Sequence, residues 1–174
     1  MSFTPLHLYF DDMKVGQEWK SHGRTLTEAD LVNFAGLSGD FNPIHMDAEF
    51  ARTTPFRQRI AHGALVFALA TGLAATTPPI RTIAFKEIRE WQFKEPAFIG
   101  DTIHLLSRVA DIEVRARGRR GVVTWYRQII NQHGKVVQQG YSVTLVEGRA
   151  APASGHDVDK TPEEKPIQLA AKGM

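Results

Sequence analysis

The chain has 174 residues, 43% of them hydrophobic and 23% charged, and it carries a formal net charge of +2 at pH 7. This length fits one domain with a substantial core and is too short for two domains of ordinary size. The balance of 21 basic against 19 acidic residues argues against nucleic-acid binding, and the lack of cysteine excludes disulfides, a cysteine nucleophile and thiolate metal sites.

The segment MSFTPLHLYFDDM at the start of the sequence contains no basic stretch followed by an apolar run. No signal peptide is therefore expected. The longest apolar run, residues 64–75, is too short to cross a bilayer and is typical of a buried helix. We therefore expect a cytoplasmic protein that does not associate with membranes.

The first predicted elements are a short strand over residues 18–24 and a helix that begins after Thr27. The Thr27 hydroxyl can bind the free N–H groups of a helix, and Asp30 falls in the favourable first turn. Three residues at helical spacing give this helix one apolar face, namely Leu31, Phe34 and Ala35. A loop is predicted over residues 36–43.

A second helical region follows this loop. A short helix is predicted over residues 47–52, and a loop over residues 53–60 leads into an apolar helix over residues 63–76. Because this last helix is apolar on every side, we expect protein to surround most of its faces.

The second half of the chain shows the alternating pattern of strands. Ile83 and Phe85 share one face of the first strand, and Ile88 falls out of phase, which predicts a bulge at residues 86–87. Turn signals separate three further strands, which are predicted over residues 102–114, 122–130 and 136–146.

This order of elements predicts an α+β fold in which an antiparallel sheet wraps around a central buried helix. Residues 1–148 form the predicted domain. Residues 149–174 are rich in Ala, Pro, Lys and Glu without periodicity, so we interpret them as a loosely ordered tail.

The segment SGDFNPIH, residues 38–45, is the most informative motif. It places the carboxylate of Asp40 near the imidazole of His45 across a turn that Pro43 stiffens, and Asn42 can bind nearby backbone to hold that turn. A water between a carboxylate and a neutral imidazole is oriented for attack, and the pair can also deliver a proton. The alternative interpretation is a stabilised loop with a partly buried histidine.

Gly63 stands at the predicted start of the apolar helix. The N–H groups of a helix N-terminus can bind a developing oxyanion, and a residue without a side chain lets a substrate approach closely. The motif and this glycine together favour proton transfer next to a carbonyl.

The sequences GDFNPIH, IAHG and FKEPAFIGDTI, with the apolar helix between them, resemble the MaoC-like dehydratase family, which includes the (R)-specific enoyl-CoA hydratases. The resemblance covers roughly residues 11–147. It implies a single hot-dog fold and reversible hydration of a trans-2-enoyl thioester. In that family the residues matching Asp40 and His45 hold the catalytic water, and the glycine matching Gly63 forms the oxyanion hole.

The resemblance also implies the partners of the chain. A chain with one hot-dog unit is expected to form a homodimer, or a higher oligomer built from dimers, with active sites at the subunit interface. No cofactor is implied, because coenzyme A enters as the thioester carrier of the substrate. The motif leaves open the acyl group, the choice between coenzyme A and a carrier protein, and the direction of reaction.

Five further residues are candidates for substrate contact. His62 either fixes a tight turn or contacts the substrate. Thr71 and Ala74 either face the acyl tunnel or pack in the core. Arg57 and Arg59 either meet the phosphates of coenzyme A or a carrier arm, or belong to a solvated loop.

A metal site is not expected. The sequence His45-Met46-Asp47 with the distant His133 imitates a 2-His-1-carboxylate iron site, but the buried helix that follows does not fit the usual fold of such sites.

Two other functions compete with hydration. A thioesterase would direct water at the thioester carbonyl and release free thiol, whereas a binding protein would hold the acyl thioester without turnover. The pairing of Asp40 with His45 favours hydratase chemistry over both.

Overall fold

A six-stranded antiparallel sheet is the main element of residues 7–149, the part of the chain that the computed structural model describes. Its strands are β1 (Glu18–Lys20), β2 (Arg24–Thr25), β3 (Thr82–Phe93), β4 (Thr102–Arg115), β5 (Arg120–Ile130) and β6 (Val136–Glu147). The α-helices of this range are α1 (Glu28–Ser38), α2 (Pro43–Met46), α3 (Ala48–Thr53) and α4 (Gly63–Thr76).

The sheet has the strand order β1-β4-β5-β6-β3, and β2 pairs with β4 beyond β1. Every pairing is antiparallel. β3 lies at one edge, so its outer row of backbone groups has no partner strand among the described residues.

Helix α4 packs on one face of the sheet, which we call the inner face. The main core cluster joins helix residues such as Leu65 and Leu73 to Leu105 of β4, Ile129 of β5 and Val137 of β6. The antiparallel sheet thus covers one side of the helix, and the burial of these apolar side chains is the main stabilising contribution.

The expectation that protein surrounds most of α4 is wrong for the single chain. The residues on the side away from the sheet are exposed, and they are small: Ala64, Ala68, Thr71, Gly72 and Ala75. The reason is that a single sheet can cover only one side of a helix, so the other apolar side is left to further protein.

A second core cluster lies at the other end of the inner face. Phe10 and Met13, from the segment before β1, pack against Val109, Val123 and Trp125. The Phe10 ring lies directly over the backbone of β5 where that strand carries a glycine. The N-terminal segment thereby closes the end of the sheet that α4 does not reach.

The predicted helix over residues 63–76 is confirmed, as are the three long strands after residue 100, to within two residues at each end. The bulge is confirmed too, because the pairing of β3 with β6 shifts between Phe85 and Glu87. The single first strand is wrong: Ser21 interrupts it, since its side chain accepts a hydrogen bond from the N–H of Leu105 at 2.9 Å.

The predicted loop over residues 36–43 is also wrong at both ends. Helix α1 continues through Gly36 and ends at Ser38, where Gly39 adopts a left-handed conformation with φ 76°. Pro43 opens the four-residue helix α2 instead of ending a loop.

Arg149, the first residue of the predicted tail, is held against the domain. Its guanidinium binds Asp12 at 2.8 Å and 2.9 Å and lies 4.8 Å from the centre of the Tyr9 ring. The rest of the tail lies outside the described residues. No helix within residues 7–149 combines the length and the apolar character needed to cross a membrane.

Two glycines with opposite surroundings test the packing. A Cβ at Gly121 would lie 2.5 Å from the buried Phe10 ring, so Gly121→Ala should destabilise the fold by about 1–3 kcal/mol. A Cβ at Gly36 would meet nothing within 4 Å on the exposed side of α1, so Gly36→Ala should stabilise it by about 0.5–1 kcal/mol. Urea unfolding measures the change in the free energy of unfolding for each variant. A change of the same sign and size in both variants would contradict this account of the core.

The cap of α1 gives a prediction on pH. Burial raises the pKa of Asp30, but hydrogen bonds from the side chain and N–H of Thr27, together with Arg24, outweigh it and hold that pKa below its ordinary value of 3.8. Because the folded pKa is depressed, the stabilisation is present above pH 3.8 and is lost as the pH falls through the folded pKa.

Asp30→Asn should therefore lower the free energy of unfolding by about 1 kcal/mol at pH 7, and by much less below pH 3.8. Glu49→Gln, which removes an exposed ion pair with Arg52, serves as the control with little effect at either pH. Urea unfolding at pH 7 and pH 3 distinguishes the two variants. If Asp30→Asn lowered the free energy of unfolding equally at both pH values, the stabilising role assigned to the ionised Asp30 would be contradicted.

Candidate active site

The carboxylate of Asp40 is presented by the end of α1. The left-handed Gly39 turns the chain out of the helix, and the N–H of Gly39 binds the carbonyl of Ala35 at 2.8 Å. The Asp40 carboxylate accepts a hydrogen bond from the N–H of Asn42 at 3.2 Å, and its side chain is 51% exposed. Oδ1 is thus held by the turn, while Oδ2 lies 4.0 Å from Nε2 of His45.

His45 is carried by the short helix α2. The side chain of Asn42 accepts the N–H of Ile44 at 3.1 Å and so caps this helix, and Pro43 occupies its first turn, where the missing N–H has no cost. This sequence folds the chain back, so that the His45 ring lies next to Asp40. The roles expected of Asn42 and Pro43 in supporting the turn follow from these contacts.

The tautomer of His45 follows from its hydrogen bond. Its Nδ1 lies 2.8 Å from the carbonyl oxygen of Ile60, and a carbonyl can only accept, so Nδ1 carries the hydrogen. In the neutral ring Nε2 is then an acceptor. It lies 4.0 Å from Oδ2 of Asp40, which is too far for a direct hydrogen bond and fits one bridging water.

His62 lies behind this pair. It is only 2% exposed, and its Nε2 donates to the backbone carbonyl of Asp40 at 2.9 Å. Its ring stacks on that of His45 with centroids 3.9 Å apart, and Phe34 packs on it at 5.1 Å. His62 therefore contacts the backbone that carries Asp40 and the ring of His45, and its side chain does not line the neighbouring cavity.

The N-terminus of α4 opens next to His45. The first N–H groups of a helix have no partner within it, and no side chain caps them here. Gly63 is the first residue, and a Cβ there would lie 2.8 Å from the ring of Phe93. The absence of a side chain at Gly63 thus makes room for the Phe93 ring in addition to exposing the N–H groups.

Gln138 fixes this helix end to the sheet. Its Nε2 donates to the carbonyl of Gly63 at 2.9 Å, and its Oε1 accepts the indole N–H of Trp91 at 2.9 Å. The side chain is fully buried. Gln138 therefore holds α4, β3 and β6 in a fixed relation at the point where the site opens.

The two sides meet at a cavity of about 390 Å³. His45 and Gly63 both line it, together with Phe56, Phe93 and Val137. The His45 ring and an open helix N-terminus thus border a largely apolar space, and the Asp40 carboxylate lies 4.0 Å from Nε2 of His45. This arrangement can polarise a carbonyl at Gly63 while it activates a water at His45.

The remaining predicted residues lie farther away. Thr71 and Ala74 line a second cavity of about 180 Å³ at the other end of α4. Arg57 and Arg59 border a surface depression with Arg52, and Arg59 is already paired with Glu28 at 2.5 Å and 2.8 Å. The structure therefore brings together Asp40, His45, His62 and Gly63, and places the other four residues at two other cavities.

The candidate donors for a metal are Asp40, His45 and His62, with one ligand atom of each within 4.8 Å of the others. Nδ1 of His45 and Nε2 of His62 are each held by a backbone carbonyl, which leaves Nε2 of His45 and the buried Nδ1 of His62 as the free ring nitrogens. The expectation of no metal site stays a prediction. His133 lies in the turn after β5, outside that cluster.

Sequence reasoning missed two contributors. Ile60 acts through its backbone carbonyl, and because every residue has such a carbonyl, the sequence gives no indication of this role. Gln138 is a glutamine at a buried position of β6, directly after the buried Val137. A buried amide requires partners, and that pattern was the available signal.

The family model described as the MaoC like domain matches residues 12–131. An (R)-specific enoyl-CoA hydratase of Rhodospirillum rubrum is 34% identical over 141 residues, which are 81% of this chain and 93% of that protein. The solved MaoC-like dehydratase of the same organism superposes with a TM-score of 0.71 at 28% identity, over 82% of this chain and 98% of that one.

A Mycobacterium tuberculosis protein described as having a double hotdog fold superposes with a TM-score of 0.75 at 20% identity. The match covers 88% of this chain but only 48% of that protein, so this chain corresponds to one half of it. The fold predicted from the resemblance is confirmed as a hot-dog fold. By its sequence, its sheet and the family model that it matches, this chain belongs to the MaoC-like dehydratase family and is a hydro-lyase.

Proposed function

We propose that this enzyme reversibly hydrates a trans-2-enoyl thioester of coenzyme A to a 3-hydroxyacyl thioester, with the water held between Asp40 and His45. The observation that carries the proposal is the 4.0 Å gap between Oδ2 of Asp40 and the acceptor Nε2 of His45, beside the open N-terminus of α4. The names of the relatives support the same class of substrate.

The thioester carbonyl accepts a hydrogen bond from the N–H of Gly63 and faces the positive end of α4. This contact polarises the conjugated double bond and stabilises the enolate that develops during addition. Gly63 and His45 line the same cavity, which supports a carbonyl at the helix end and a water at His45 within one site.

The water bound by Asp40 and His45 adds its oxygen to the β-carbon, and the electron pair of the double bond moves toward the α-carbon. A proton passes to the α-carbon through the same pair, so water is consumed and the enzyme is unchanged. The reverse sequence dehydrates the 3-hydroxyacyl thioester. His62 keeps the pair in place from behind, because it binds the Asp40 carbonyl and stacks on His45.

The coenzyme A part of the bound substrate is expected to extend out of the cavity past the loop before α4. Arg59 is paired with Glu28 and Arg52 with Glu49, so these two charges are already balanced. Arg57 contacts only a backbone carbonyl, at 3.4 Å, among the contacts described for it. We therefore propose Arg57, rather than Arg59, as the contact for a phosphate of the carrier.

The proposed enzyme is a homodimer that pairs through β3. This edge strand is 12 residues long and exposes Ile83, Phe85, Ile88 and Phe93 at 43–63% of their surface. A long apolar edge favours pairing with another chain, and a second copy would also approach the exposed small residues of α4. The double hotdog protein holds two units of this fold in one chain, which supports pairing of two units.

The water-binding pair gives the main test of the proposed function. Asp40→Asn and His45→Ala should each lower kcat for crotonyl-CoA hydration by about 100- to 10,000-fold, because each removes an acid–base group that acts in the transition state. KM should change much less. The loss of enoyl-thioester absorbance measures the reaction.

Matched controls are Asp111→Asn and His22→Ala, which change the same residue types at exposed positions away from the site. Both should retain activity. Release of free thiol by the parent enzyme would instead assign a thioesterase. Absence of turnover over a panel of chain lengths and branched acyl groups, with binding retained, would assign a binding protein.

The edge strand gives a prediction on assembly. Ile88→Lys should shift the protein from dimer to monomer in analytical ultracentrifugation and reduce hydratase activity, because it places a charge in the middle of the apolar edge. Val15→Lys is the control, since Val15 is 62% exposed beside β1 at the other edge of the sheet. A dimer that survives the change at Ile88 would place the interface elsewhere.

A further inference from the structure

A partly buried cation lies on the inner face of the sheet, away from the water-binding pair. Arg127 occupies an inward position of β5, in phase with Val123, Trp125 and Ile129, which are all fully buried. Its Nε is buried without a hydrogen-bond partner among the described residues, and its guanidinium lies 5.4 Å from the centre of the Trp125 ring. Arginine at a core position normally requires a paired anion.

Two hydroxyl groups beside it are also unpartnered. Ser107 of β4 stands opposite Arg127, and Ser142 of β6 stands opposite Trp125, so all three polar side chains share the inner face. Both serine oxygens are buried without a hydrogen bond. Within residues 7–149, three of the four buried side-chain atoms that lack a partner therefore lie at neighbouring positions of one surface.

Arg127 and Ser142 line the cavity of about 180 Å³ beside the C-terminal half of α4. The rest of its wall is mainly apolar and includes Phe67, Ala74 and Trp91, and no carboxylate lines it. Burial lowers the pKa of Arg127 to about 10, so the guanidinium is still charged at neutral pH. The cavity thus offers an apolar space with one positive charge that nothing in the described chain neutralises.

This cavity lies next to the one that holds His45. Gln138, whose side chain binds Gly63, stands two residues along β6 from Gly140, and Gly140 pairs with Arg127. Two residues of a strand span about 7 Å. A cavity of about 150 Å³ accommodates a molecule of roughly six non-hydrogen atoms, so this one has room for a short acyl segment.

We propose that Arg127, assisted by Ser142, binds a carboxylate at the distal end of the acyl chain, so that the enzyme prefers enoyl thioesters derived from dicarboxylic acids. This proposal rests on the proposed hydratase function and names its substrate class. The planar fork of the guanidinium matches a carboxylate, and the apolar wall fits the methylene groups that connect it to the thioester. The phosphates of coenzyme A lie at the other end of the thioester and cannot fill this pocket in the same complex.

A pair of matched substrates tests the preference. The first is 2,3-didehydroadipyl-CoA, which ends in a carboxylate, and the second is 6-methyl-2-heptenoyl-CoA, in which an isopropyl group of similar shape replaces that carboxylate. A charge-assisted hydrogen bond in a buried site predicts a kcat/KM about 10- to 100-fold higher for the carboxylate. Adipyl-CoA should likewise inhibit the reaction more strongly than 6-methylheptanoyl-CoA.

Variants assign this preference to Arg127. Arg127→Met should abolish it while hydration of the hydrocarbon substrate is retained, and Arg127→Lys should keep part of it because the charge remains without the fork. Arg108→Met is the matched control, since Arg108 lies on the outer surface over Tyr126 and should leave the preference unchanged.

If Arg127→Met does not fold, Ser142→Ala supplies the second test, with an expected loss of about 2- to 10-fold in the preference. A wild-type enzyme that hydrates the hydrocarbon substrate at least as well as the carboxylate overturns the carboxylate site and leaves the hydratase function standing. Failure to hydrate either substrate or crotonyl-CoA overturns the proposed function itself. A preference that survives Arg127→Met would assign it to another residue and also overturns the proposal.

Discussion

The hydrogen bond between the His45 ring and the Ile60 carbonyl is the interaction on which the chemistry of this site depends. A backbone carbonyl cannot donate, so it fixes the hydrogen on Nδ1 and leaves Nε2 free to accept. Ile60 lies in the loop just before α4, so the same contact ties the histidine to the segment that leads into the helix N-terminus. The tautomer, the gap to Asp40 and the position of the uncapped N–H groups of α4 are therefore set together.

His62 adds a second constraint on the positions of Asp40 and His45. It is buried between Phe34 and the His45 ring, and it holds the carbonyl of Asp40. The two members of the pair come from different elements, the end of α1 and the helix α2, and His62 at the start of α4 contacts both. The site is thus a junction of three helix ends, which gives it a fixed geometry although Asp40 is half exposed.

Much of this could be predicted from the sequence because its signals are local. The apolar helix over residues 63–76, the long strands and the bulge all follow from periodicity, and the pairing of Asp40 with His45 follows from a stiff, short motif. The four-residue helix α2 was not predicted, because a single turn shows no periodicity in sequence. The helix depends on the cap at Asn42. Gln138 and the stack of His62 on His45 depend on tertiary contacts, which no single segment of sequence records.

The amide of Gln138 uses its acceptor toward β3 and its donor toward α4, so neither a glutamate nor a leucine could replace both contacts. This side chain lines the cavity of His45 and binds Trp91, which lines the cavity of Arg127. The contact that holds the first residue of α4 thus comes from β6 and involves neither Arg127 nor Ser142. Substitutions at Arg127 or Ser142 are therefore expected to alter the cavity around them while the end of α4 keeps its position.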